Sequence, residues 1–338
     1  MRAARGSDRA LEPANFYEWT VAALGQGIAD RLSRPFNEKV WTVPMEEMDW
    51  RWLSDRVSVV DAERLVANAI LDRDDDAWGP NSEFVFPRQG GTGAIWEGVA
   101  RYASESIRYG MRAAAIDPAA RRVRFETGET LDYEWLISTQ PLDRLVEMAA
   151  DAPDRVKEAA RSLQRNRVEI VGIGLEKPMD SSVCWMYTPE AETPLYRITN
   201  FARYSSAHVP GGDTSRYCSY MCEAPHSAAR PLPPGDLFEQ AEETLARCGL
   251  IEPDDRRRVV SRFRHSIEYA YPIPTLGRDH ALAAIQPWLE ERRILSRGRF
   301  GSWRYEIGNM DHCAQMGKEA VDRIVFGQRE TTLLGEAK

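Results

Sequence analysis

Four short runs decide how this chain is built: VEIVGIGLE (168–176), VCWMYTP (183–189), LYRITNF (195–201) and RYCSYMCEA (216–224). Each is rich in β-branched and aromatic residues, and turn formers such as Pro210, Gly211 and Gly212 separate them. That is the pattern of an antiparallel sheet whose strands follow one another along the chain. Gly172 and Gly174 fall inside the first run, where glycine marks close packing or a bulge. Cys218, Cys222 and His226 recur every four residues. On a helix this spacing would align metal ligands. In a strand it puts both cysteines on one face with no fourth ligand nearby, and they read as buried sheet cysteines.

Working outward, APHSAARPLPPGD (224–236) is a surface connection, and a helix is expected at about 236–249. Upstream, a helix near 154–164 follows a β region at 111–139, in which a hairpin at Thr127-Gly128 joins RRVRFE to TLDYEWLIST. The first 75 or so residues read as helical. Leu24, Ile28 and Leu32 follow Trp19 at intervals of four, and Leu65, Val66, Ala69 and Ile70 form a second apolar stripe. Between these parts, WGPNSEFVFPRQGGTGAIW (78–96) sets turn formers among aromatics, and Gly90, Gly91 and Gly93 open onto a helix.

Near the C-terminus lies GRFGSWRYEIGNMDHCAQMGKEAVDRI (298–324). A strand is expected to end at Arg299-Phe300, a loop to hold Trp303, Arg304, Tyr305, Glu306 and Asn309, and Asp311 to cap a helix with Met316, Ala320, Val321 and Ile324 on its apolar face. Loop and helix N-terminus together offer N–H groups and a positive dipole end to a negatively charged cofactor group or a polarised carbonyl. Equally, Trp303 and Tyr305 are core and Asp311 only a cap. The pairs Gly25/Gly27, Gly91/Gly93 and Gly172/Gly174 never continue to the third glycine of the dinucleotide fingerprint.

The 338 residues carry 44 Lys and Arg against 52 Asp and Glu, a net charge of −8. This argues against a nucleic-acid or anionic-membrane surface, either of which needs a concentrated cationic excess. Arg256-Arg257-Arg258 reads as a solvated face. No apolar run reaches the length of a spanning helix, and nothing near Met1 resembles a signal peptide. The five cysteines form no pairing pattern, which fits a reducing compartment, so a cytoplasmic protein is expected. Residue chemistry alone leads to a flavoprotein and no further.

A resemblance goes further. RPFNEKVW (34–41), WGPNSEFVFPRQGGTGAIW (78–96), CWMYTPEAETPLYR (184–197), YPIPTL (271–276) and GRFGSWRYEIGNMDH (298–312) resemble, in order and spacing, the eukaryotic-type UDP-galactopyranose mutases of the FAD-dependent amine oxidase and protoporphyrinogen oxidase superfamily. It covers nearly the whole chain from about Phe16. Members of that family begin with a strand and a Gly-rich dinucleotide fingerprint that have no counterpart here. The implied fold is therefore α+β (mixed α/β): a helical domain (1–77), an incomplete Rossmann-like FAD-binding domain (78–145 and 277–338) and an antiparallel-sheet substrate domain (146–276). Either a fragment or a shortened paralogue is implied, binding FAD weakly or not at all.

The implied activity is the interconversion of UDP-galactopyranose and UDP-galactofuranose through a covalent adduct of reduced FAD, the flavin having been reduced by NADPH or NADH. The alternatives are an amine-oxidase-type FAD oxidoreductase, or a non-catalytic fragment or paralogue. The resemblance makes Arg56 and Arg197 the ligands of the leaving diphosphate, a task suited to forked guanidinium groups. It puts Asn37, Trp41, Asn81, Trp185, Tyr187, Tyr204, Tyr271 and Tyr305 at the nucleotide-sugar substrate. It assigns Gly90, Gly91, Thr92, Gly93, Arg299, Asn309, Met310 and Asp311 to the flavin. Met310 and Cys313 stand where the family commonly has Gln and Ser. A nucleotide-sugar is the implied partner, with no nucleic acid and no membrane, and a homo-oligomer is compatible with the sequence.

Overall fold

The computed structural model describes residues 12–53, 62–73 and 84–334. The chain opens with helix α1 (Phe16–Leu24), started by the Asn15 side chain, which accepts from the Glu18 amide at 2.9 Å. Gly25, at φ +86°, ends it. A single turn, α2 (Gln26–Ile28), passes through a π-helical stretch at Ala29–Ser33 into α3 (Arg34–Trp41). Because this break and the wider π turn shift the rotational register, the four-residue spacing of Leu24, Ile28 and Leu32 does not form a buried stripe. Leu32 is exposed, and Phe16, Thr20 and Ala29 are buried instead. Helix α4 (Ala62–Ile70) forms as expected, but Val66 and Ile70 lie on the surface, the latter 76 % exposed. Helix α5 (Gly93–Arg101) follows the glycine loop.

A small antiparallel sheet comes next, of β1 (Ala113–Asp117), β2 (Arg122–Phe125) and β3 (Thr130–Asp132) in that order, with Gly128 at φ +86° in the β2–β3 turn. TLDYEWLIST does not continue as one strand. The Tyr133 amide closes back on the Arg121 carbonyl, and β4 (Leu136–Ser138) leaves to pair in parallel with β10 (Ile294–Ser296). That C-terminal strand stops ahead of the expected Arg299-Phe300, and residues 299–303 turn instead. Helices α6 (Leu142–Met148), α7 (Asp154–Ser162) and α10 (Arg278–Glu290) pack over the two sheets through Leu142, Leu145, Val156, Ile285 and Trp288, with Trp303 wholly buried among them.

The expected antiparallel sheet is present in the order β6 (Trp185–Tyr187), β7 (Arg197–Asn200), β8 (Cys218–His226), β5 (Arg165–Leu175), β9 (Val259–Pro272). Its strands alternate faces. One face, through Val171, Ile198 and Cys222, packs on Leu237, Ala241 and Leu245 of α9 (Leu237–Arg247), a helix capped by Asp236. Cys218 and Cys222 belong to this core, where burial raises both thiol pKa values, Cys218 to about 11. Gly174 lies opposite Ser261, whose hydroxyl occupies the space of a Cβ, and the β5–β9 register shifts just beyond it. The short helix α8 (Phe201–Tyr204) follows β7, while α11 (Met310–Phe326) and α12 (Thr331–Leu334) complete the chain. No helix among the described residues is long and apolar enough to cross a membrane.

Candidate functional site

The face of the sheet turned away from α9 carries the site. Cross-strand pairing lines up Tyr187, Arg197, Glu223, Ile170 and His265 in one row across β6, β7, β8, β5 and β9. Two residues along, the next row is Trp185, Thr199, Met221, Gly172 and Phe263. Directly opposed side chains on one face of a sheet touch. Thus Arg197 lies between Tyr187 and Glu223. The Glu223 carboxylate, only 5 % exposed, accepts from Arg197 Nε and, at 2.9 Å, from Nη2. Burial works against the Arg197 charge, yet Tyr196 and Glu223 outweigh it and raise its pKa. Glu223 escapes a reading of the sequence, since one acid in a strand of apolar residues looks like an exposed interruption. Its signal was its position directly across from Arg197.

Two aromatic groups flank this pair. In the first, Trp41 at the end of α3 is 3 % exposed and lies edge-on to Tyr305 (ring centroids 4.9 Å), Tyr271 (6.0 Å) and Trp52 (5.1 Å). Burial raises the Tyr271 pKa. Its hydroxyl shares a 2.8 Å hydrogen bond with that of Tyr196, which in turn donates to Glu223 at 3.2 Å. Asn166 ties α3 to the sheet by donating to the Val40 carbonyl while accepting from the Tyr271 amide. Above these tyrosines lies the Arg299 guanidinium, 5.5 Å from the Tyr305 ring and 5.8 Å from that of Tyr271.

In the second group, Tyr204 meets Phe84, Phe86, Phe201 and Trp185 at centroid distances between 4.8 and 6.2 Å. Burial raises the Tyr204 pKa and the neighbouring Arg197 charge partly opposes it. Tyr187 projects to the surface and meets Phe36 of α3 edge-on at 5.1 Å. Asn37 does share α3 with Trp41, but its amide turns back to donate to the Ser33 carbonyl at 2.8 Å. Beside Tyr204 a recess of about 620 Å³ is lined by Arg88, Gln89, Ser205, Gly211 and Gly212. Arg56 and Asn81 lie outside the described residues.

The remaining residues form a second locus. Gly90 and Gly91 have φ of +75° and +61°, conformations that suit glycine. Thr92 then leads into α5. Trp96 of α5 donates through Nε1 to the Met310 sulphur at 3.4 Å, joining the glycine loop to the start of α11. Asn309, not Asp311, is the N-cap of α11. Its extended ψ of 167° stops the helix there, and its carbonyl accepts from the Cys313 amide, leaving Asp311 in the first turn. An acid at that position still complements the helix dipole. Gly308 holds the loop close: its carbonyl accepts from Arg299 Nε at 2.8 Å, and a Cβ there would lie 2.8 Å from Arg299 Cγ.

No protein-family model matches the sequence. Among solved structures, a reduced UDP-galactopyranose mutase aligns with a TM-score of 0.90 and 37% identity, over 97% of this chain and 70% of that one. The chain belongs to the UDP-galactopyranose mutase family. The mutase fold extends to more distant structures. One is a protein provisionally assigned as a protoporphyrinogen oxidase from Exiguobacterium sp. 255-15, at TM-score 0.62 and 13% identity over 95% of this chain and 70% of that one. Another is a CLA-producing fatty acid isomerase from P. acnes, at 0.55 and 14% over 92% and 66%. These last two share the fold alone. The mutase relationship agrees with the family read from the motifs at 34–41, 78–96, 184–197, 271–276 and 298–312.

Proposed function

We propose that this chain is a mutase-type flavoprotein that binds UDP-galactopyranose and UDP-galactofuranose on the open face of its sheet and serves their interconversion. The observation that carries the proposal is the row Tyr187, Arg197, Glu223: a cation held in place by a buried carboxylate, flanked by aromatic groups, in a member of the mutase family. Arg197 holds the diphosphate. Glu223 takes up Nε and Nη2 and so fixes the plane of the guanidinium. Tyr187, Tyr204 and Tyr305 offer hydroxyls to phosphate or sugar, Tyr271, whose proton goes to Tyr196, offers an acceptor to a sugar hydroxyl, and Trp185 and Trp41 wall the pocket. Arg56, Asn37 and Asn81 belong to the same proposal.

The second locus fits the ring end of a flavin. No heavy atom comes within 4 Å of where a Cβ would stand on Gly91 or Gly93, leaving the backbone open to a flat ring, and His312 Nδ1 is buried without a partner. Gly90 to Gly93, Arg299, Asn309 and the first amides of α11 would hold it, with Met310 and Asp311 alongside. Bound and reduced by a nicotinamide, FAD would supply the nucleophile for the anomeric carbon. Met310, whose thioether replaces an amide at this locus, favours a second reading, an amine-oxidase-type oxidoreductase.

UDP binding measured by calorimetry tests the proposal. Arg197→Ala is expected to weaken it by about 2–4 kcal/mol, the worth of a charged contact in a partly buried site. Unchanged affinity would remove Arg197 from the role. With added flavin reduced by dithionite, UDP-galactofuranose should yield UDP-galactopyranose on chromatography. Flavin reduction by an amine would point to the oxidoreductase.

A further inference from the structure

We propose that Lys39 is a positioning residue, whose ammonium group, carrying all three protons, holds the β6–β7 hairpin and thereby Tyr187 and Arg197 at the height needed to bind the diphosphate. The proposal rests on the reading of Arg197 as the diphosphate ligand. Lys39 lies on α3 between Asn37 and Trp41 and is 2 % exposed. Its Nζ donates to the carbonyls of Thr188, Glu190 and Leu195 at 2.6, 2.5 and 3.0 Å. All three acceptors belong to the loop of the β6–β7 hairpin, and no carboxylate takes part. The base of that loop is the Tyr187–Arg197 pair, with the Thr188 amide donating to Tyr196 O just above it.

An ammonium has three donors and a neutral amine two. The Leu195 carbonyl keeps a second donor, Thr188 Oγ1 at 2.6 Å; deprotonation therefore removes one of the three ties between the hairpin and α3 and frees the hairpin to shift. Burial lowers the Lys39 pKa from 10.5 to about 8. Arg230, from the connection after β8, and Arg247 of α9 push in the same direction, while Glu190 and Glu192 of the hairpin oppose them. Glu243 of α9 lines one cleft with Lys39, Arg230 and Arg247. The change thus falls within the working range of most proteins. Stability responds with the opposite sign. Between pH 8 and 10.5 the unfolded chain binds more protons at this lysine than the folded one, so the penalty for burying its charge is present in full below pH 8 and relieved as pH rises. A merely structural lysine would make affinity follow stability; a positioning lysine makes affinity fall while its own stability term improves.

The test is UDP affinity of the full chain by calorimetry between pH 6.5 and 8.8, for wild type, Lys39→Met and Arg197→Ala, with hydrogen exchange at the Thr188 and Tyr196 amides. Wild-type affinity should fall roughly three- to tenfold through pH 8, the worth of one hydrogen bond. Hairpin protection should fall with it, beyond the intrinsic pH effect on exchange. Lys39→Met should bind weakly and without the inflection. If Arg197→Ala abolishes binding while wild-type affinity stays level across this range, Lys39 has no such role and the diphosphate reading stands. Binding by Arg197→Ala equal to wild type defeats the diphosphate reading. Hairpin protection then decides whether Lys39 holds the loop, and the absence of a pH-linked loss overturns that as well. Wild type supplies the inflection even if Lys39→Met does not fold.

Discussion

Gly301 is buried against backbone: a methyl group on it would lie 2.2 Å from the Arg297 carbonyl oxygen and 2.7 Å from the Arg297 nitrogen. Neither atom can rotate away. Gly301→Ala is therefore expected to cost about 3 kcal/mol or more, the upper range for overpacking, as a lower urea midpoint with unchanged slope. Stability equal to wild type would mean that the turn opens freely. At this scale the sequence is legible where a residue carries distinctive chemistry. Arg197 and the tyrosines could be picked out by type and motif. Lys39 and Glu223 could not, because a buried charge looks like a surface charge until its partners are known. Those partners lie on strands and loops remote in sequence.

A buried ion network fastens the last elements together. Arg297, at the end of β10, is almost wholly buried and donates to both oxygens of Glu330, at 2.5 and 2.6 Å, and to Glu290 of α10. Arg323 of α11 also reaches Glu290 and Glu330. Removing one member strands a charge, so Glu330→Ala should cost roughly 3–5 kcal/mol, whereas Arg297→Met with Glu330→Leu should recover much of that loss. Thermal unfolding of the two variants decides it; equal losses would show that packing, not unpaired charge, sets the cost. Some elements were legible, such as α9, expected at about 236–249 and found at Leu237–Arg247 behind an Asp236 cap. They were misread where a local irregularity reset the pattern. Gly25 and the π turn moved the buried side of the first helices, and a change of sheet after Tyr133 split an apparently continuous strand.

At the scale of the molecule, three apolar cores hold most of the buried hydrophobic side chains among the described residues, yet several helices keep apolar surface outside them. Ile95, Trp96 and Val99 of α5 are exposed, as are Val321, Val325 and Phe326 of α11. Contiguous apolar surface binds hydrophobic dyes in the native state. The chain should enhance the fluorescence of anilinonaphthalene sulphonate, and Ile95→Glu with Val99→Glu should reduce that signal while moving the thermal midpoint little, as surface substitutions do. A large loss of stability would place α5 in the core after all. The glycine loop at Gly90 to Gly93 pointed to α5 but not to an open apolar side, because a sequence records which residues are greasy and not what covers them.

The parallel pairing of β4 with β10 has a consequence for how the chain is made. Leu136 to Ser138 leave the ribosome early, whereas Ile294 to Ser296, their partners, appear only after the whole substrate sheet has been synthesised. The core around Leu142, Val156 and Trp303 likewise draws six of its seventeen buried residues from α10 and the turn that follows β10. The antiparallel sheet and α9, by contrast, come from one continuous stretch that ends with β9, the strand that pairs with β5. They can condense once β9 has emerged, and the entropic cost of closing such loops grows only slowly with their length. Birth order and folding order therefore differ: the antiparallel sheet matures first, and the earlier-born β4 waits for β10.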